Sequence, residues 1–114
     1  MSPNRLTDKY QPHRLEPTVY EGHAKLVVHT QRLCPSGSIY HLLDWIPEQS
    51  EKMYWILVDD HSVVKFEIPY EGPGLPEEVQ VGTLREYRYH IGQGKRRIRL
   101  DRAVEDARQL SGAA

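Results

Sequence analysis

The residues of this chain that come nearest to a chemistry lie in residues 83–102. Arg85, Arg88, Lys95, Arg96, Arg97, Arg99 and Arg102 stand there against Glu86 and Asp101, a local charge of +5. Such a cluster attracts phosphates or carboxylates. Its spacing is also regular. On the first run Tyr87, Tyr89 and Ile91 alternate with Glu86, Arg88 and His90. On the second, Ile98 and Leu100 fall on one face with Arg96, and Lys95, Arg97 and Arg99 on the other. Strand side chains alternate faces with a period of two. The pattern therefore predicts a β-hairpin turning at Gly92-Gln93-Gly94, with an oily face and a basic face. Arg88, His90, Lys95, Arg97 and Arg99 are the candidate partner-binding residues. A two-stranded basic ribbon can enter a DNA major groove or track phosphates. The same arginines can equally be surface groups paired with carboxylates, across strands or on the acidic middle of the chain. In this hairpin the tyrosines face the core, away from the charges, which argues against base stacking.

Other chemical signals are thinner. The string Gly92-Gln93-Gly94-Lys95 resembles part of a phosphate loop, but between two strands no helix N-terminus follows it to hold an anion. The sequence has no GxSxG, GxxxxGK[ST], HExxH or CxxC motif, so no catalytic residue is assigned. His23 and His29, read on one strand face, stand roughly 20 Å apart, too far to share a metal ion. Asp59-Asp60-His61 reads as a polar turn, one ligand cluster where a metal needs about three or more converging ligands. Neither a metal nor another cofactor is expected. Cys34 is the one cysteine, which rules out an internal disulfide and suits a reducing compartment. It reads as a spare thiol in a turn.

These residues need elements to position them. Residues 1–18 are polar, hold Pro3, Pro12 and Pro17, and read as a mobile arm or a loosely docked strand. Residues 19–114 form one globular β-rich domain. In residues 21–33, Ala24, Leu26 and Val28 alternate with Lys25, Val27 and His29, which predicts a half-buried strand. Residues 39–46 carry a helical stripe, Ile39, Leu42, Leu43 and Ile46, but are rich in aromatic and β-branched residues, and strand is preferred. Residues 53–58, MYWILV, are apolar on both faces and predict a central strand, with Trp55 in the core. Ser62–Pro69 returns with Val64, Phe66 and Ile68 inward. Residues 71–76 form a loop with two glycines and two prolines, and Val79 and Val81 mark another strand. Residues 101–110 predict the one helix, with Val104, Ala107 and Leu110 as its apolar stripe. The fold class is α+β and mostly β: an antiparallel meander of six to seven strands, curled into a small barrel or a strongly bent sheet, with one C-terminal helix.

The 114 residues suit one domain. The longest apolar runs fall far short of a membrane span, and the first residues lack an apolar signal region, so a cytoplasmic protein is expected. Net charge is −1, unevenly spread. Residues 44–80 carry nine acidic and two basic groups, residues 81–114 eight basic and four acidic. Those regions can neutralise each other within the fold or between two copies. Three function classes remain. The first is a non-catalytic interaction protein, a homodimer or a binder of a protein partner. The second is a nucleic-acid-binding accessory using the basic hairpin at residues 85–102. The third is a small-ligand binder or enzyme with a pocket lined by Tyr, His and Trp.

Overall fold

The computed structural model describes residues 13–15 and 21–112. Its centre is the apolar run of residues 53–58. A strand apolar on both sides must be covered on both sides. This one is, because Ile56 and Leu57, adjacent and both fully buried, face two different cores. The chain runs β1 (His13–Arg14), α1 (Glu21–Leu33), β2 (Tyr40–Pro47), β3 (Glu51–Val58), β4 (Ser62–Pro69), β5 (Glu77–Thr83), α2 (Leu84–Ile91) and α3 (Lys95–Gly112). Strands β1 to β5 lie side by side in sequence order, each antiparallel to its neighbour. The first core holds Leu26 and Val27 of α1 against Ile56, Val58, Val64 and Phe66. The second holds Tyr87 of α2 and Leu100, Ala103 and Val104 of α3 against Leu43, Trp55, Leu57 and Val63. The sheet is thus a middle layer, with α1 on one face and the α2–α3 pair on the other.

The expected six- to seven-stranded barrel or bent sheet with a single helix is not what forms. There is one open sheet of four long strands, β1 adding two residues beside β2, and three helices among the described residues. Two segments account for the difference. Residues 21–33 alternate for a few positions, but among the described side chains the buried ones are Leu26, Val27 and Thr30, with Leu33 packed behind them. That is a helical stripe, and Val28, inward on the strand reading, is 43% exposed. Residues 83–102 are helical because Thr83 and Glu86 form a capping box. The Thr83 hydroxyl accepts from the Glu86 N–H at 3.1 Å, and the Glu86 carboxylate accepts from the Thr83 N–H at 3.0 Å. Gly92, at φ 66°, ends α2 and donates its N–H to the Arg88 carbonyl. Helix α3 then starts at Lys95, before the expected start at residue 101, and buries Leu100, Ala103, Val104 and Ala107. The strands of residues 39–46, 53–58 and 62–69 stand as expected, and Trp55 and Phe66 are core residues. Of the arm at residues 1–18, only residues 13–15 are described. His13 and Arg14 pair with Leu42 and His41, and Leu15 is buried in the first core.

A bulge in β2 and a glycine in the turn before it shape how the sheet packs. The β2–β3 register skips Leu43 between the Leu42–Ile56 and Asp44–Trp55 pairs, a bulge that leaves the Leu43 carbonyl out of the ladder. Arg99 of α3 donates to that carbonyl at 2.9 Å. At Gly37 an added Cβ would collide with Val58 Cγ1, so the turn before β2 can lie against the core only without a side chain.

Candidate functional site

On the α1 side, the β3–β4 cross-strand rows run Ile56–Val64, Tyr54–Phe66 and Lys52–Ile68. The first row is fully buried, whereas Lys52 and Ile68 are only partly covered. At that uncovered end lies a groove of about 570 Å³, within the size range of small-molecule sites. Lys25, Leu26 and His29 of α1 form one wall, and Tyr70, Pro73 and Leu75 of the loop after β4 form the other. Lys25 and His29 are four residues apart on α1 and therefore share a helix face. Lys52 and Tyr54 alternate onto the same sheet face. Phe66, fully buried, lies beneath. His29 meets it edge-on at 6.2 Å between ring centroids, and Tyr54 packs on it at 5.7 Å.

The groove is cationic. Lys52 Nζ sits 5.7 Å from the centroid of the Tyr70 ring, a cation–π placement. Burial lowers the His29 pKa from its ordinary value of 6.5, and Arg32 and Lys25 push the same way, while a hydrogen bond with the Gly74 backbone opposes them. His29 is therefore largely neutral at pH 7. Its Nδ1 is buried without a hydrogen-bond partner among the described residues. Burial, and then the neighbouring Tyr70, push the Tyr54 phenol up, so it stays protonated and able to donate. No carboxylate lines the groove among the described residues. The arrangement offers two ammonium groups, phenol donors and aromatic walls, which suit an anion carrying an apolar or planar body.

The five candidate residues from the sequence lie elsewhere, on α2 and α3, and not on strands. They do not share one face. Arg88 Nη2 and Arg97 Nε both approach Asp101 Oδ1, at 3.2 and 3.5 Å. Arg99 lies against Asp44, 3.7 Å away, beside the Leu43 carbonyl it serves, and Arg96 reaches the same carboxylate at 2.9 Å. Lys95 is exposed in the first turn of α3. His90 borders a smaller hollow of about 290 Å³ with Glu86, Lys65 and Trp55, between α2 and the outer strands. The tyrosines also part company. Tyr87 is buried, with its phenol pushed up to about 12 by burial and the nearby Asp44 carboxylate, while Tyr89 is 91% exposed.

The groove was not legible in the sequence, because its walls come from three separated stretches that only the folded sheet brings together. Asp59-Asp60-His61 is the expected turn. The Asp59 carboxylate caps the Ser38 and Ile39 N–H groups, and Asp60 pairs with Arg108 at 3.3 Å. A further pair that no spacing announced joins β2 to α3, where the buried His41 Nε2 lies 2.7 Å from Asp106 Oδ2. Among the described residues no group of three or more His, Cys, Asp or Glu is placed to hold a metal ion. Compared with known proteins, the chain matches no family model, no curated protein and no solved structure. The fold is an open antiparallel sheet with helices on both faces, and the functional reading rests on its geometry.

Proposed function

We propose that this protein binds a small acidic ligand with an aromatic or apolar body in the groove between α1, β3–β4 and the loop of residues 70–75. One observation carries the reading. The groove of about 570 Å³ has apolar and aromatic walls, and its charged described lining residues, Lys25 and Lys52, are both cationic. A carboxylate would take charge-assisted hydrogen bonds from the ammonium groups, and the body would lie against Tyr54 and Tyr70. This is binding chemistry, and the groove differs from the expected barrel pocket lined by Tyr, His and Trp in opening on a sheet and in having no Trp among its described lining residues. The test is a panel of aromatic carboxylates beside their neutral amides, followed by amide chemical-shift mapping. The acids should shift resonances of His29, Lys52, Tyr54 and Gly74, and Lys52→Glu should weaken their binding about tenfold or more. Equal binding of acids and amides, or shifts confined to α2 and α3, would refute the reading.

A further inference from the structure

Tyr89 is the most exposed of the large hydrophobic side chains described, at 91%, and it stands in the most basic part of the chain. On α2 it shares a face with Arg85, four residues earlier. The acidic neighbour on that face, Glu86, has its carboxylate engaged by the Thr83 N–H and hydroxyl. Beyond the turn at Gly92-Gln93-Gly94, α3 begins with Lys95, Arg96 and Arg97 and has no acidic residue in its first turn. Asp101 and Asp44 each serve two arginines. That leaves Arg85 and Lys95 without an ion pair among the described residues. At Gly92 and Gly94 an added Cβ would meet nothing within 4 Å, so the turn between the helices is open to approach.

We infer that the α2–α3 corner binds single-stranded nucleic acid, with Tyr89 as a stacking platform for a base and Arg85, Lys95 and the open edges of Arg88 and Arg97 along the phosphates. A tyrosine nine-tenths exposed gains nothing for the fold, whereas it suits an unstacked base. Had the segment been a β-hairpin, Tyr89 would have faced the core opposite the charges. As a helix it stands among them. The corner is on the opposite side of the sheet from the groove and does not depend on the reading given for the groove. An acidic peptide would use the same cations but would gain much less from the ring.

Fluorescence anisotropy decides it, with labelled oligo-dT and oligo-U, the corresponding duplex, and polyglutamate as a polyanion without bases. Both single strands should bind at low salt, their relative affinities separating DNA from RNA. About four phosphate contacts imply a log–log salt slope near −3 for a single strand. Tyr89→Ala should weaken single-strand binding about tenfold with an unchanged melting temperature. Arg85→Glu with Lys95→Glu should weaken it further and flatten the salt slope, and Lys52→Glu in the groove should leave it intact. Polyglutamate bound as tightly as the oligonucleotides, a preference for duplex, a Tyr89→Ala protein that binds like the parent, or no salt-sensitive binding would each overturn the inference.

Discussion

Protonating His29 would put a charge on a partly buried ring, and beside Arg32 and Lys25, with the Gly74 backbone opposing these effects. Its pKa in the folded protein is therefore below the 6.5 of the unfolded chain. Between those two values the unfolded state binds more protons, so stability rises with pH. The contribution of neutral His29 is complete above about pH 6.5 and is lost as pH falls through the depressed value. Urea melts from pH 8 to 5 should show a shallower loss for His29→Gln than for the parent. Parallel curves would mean that His29 is not held neutral. An anion in the groove would raise the same pKa, so binding of an acid should strengthen as pH falls. At this scale the sequence was a partial guide. The cationic character of residues 85–102 was plain, but the partners were not. Asp44 serves Arg96 and Arg99 because a bulge and a helix bring residues more than fifty positions apart together, and no local spacing encodes that.

Elements were legible where burial was two-sided or the turn chemistry was explicit. MYWILV could only be a covered strand, and the Asp59–Asp60 turn fixed the hairpin that follows it. The basic segment alternates at period two, yet it opens on a Thr-x-x-Glu signature, Thr83 with Glu86, that starts a helix. A capping box nucleates a helix locally, whereas a short alternation needs a partner strand, and the local signal prevailed. Helix α1 forms for a related reason. Leu26, Val27, Thr30 and Leu33 form a stripe at helical spacing, which a shorter alternating window concealed. The cap yields its own prediction. Thr83→Ala should cost about 1 kcal/mol in urea denaturation, and Thr83→Ser should recover most of it. If Ala and Ser behave alike, the hydroxyl does not hold the start of α2.

The whole molecule is organised by one sheet serving two cores, and its uneven charge is partly resolved within a single chain. Asp44 and Asp60 from the acidic middle hold Arg96, Arg99 and Arg108 from the basic end. These contacts bind α3 to β2 and to the β3–β4 turn, and His41 with Asp106 adds a further link. Neither core includes a described residue from the helices of the other face. The two layers are nevertheless coupled, since every residue of β3 that enters one core lies next to a residue that enters the other. Loosening either side disturbs the strand that the other side packs on. The protein should therefore unfold as a unit even when one core alone is weakened. Ile56→Val on the α1 side should cost about 0.5–1.5 kcal/mol, and Val104→Ala on the α3 side about 2 kcal/mol, with the methyl groups lost from fully packed positions. In both variants far-UV circular dichroism and tryptophan fluorescence, the latter reporting in part on Trp55 in the α3-side core, should trace one coincident transition. If Val104→Ala loses its fluorescence signal before its backbone signal, the α2–α3 layer separates from the sheet on its own, and the coupling through β3 is weaker than its alternating burial implies.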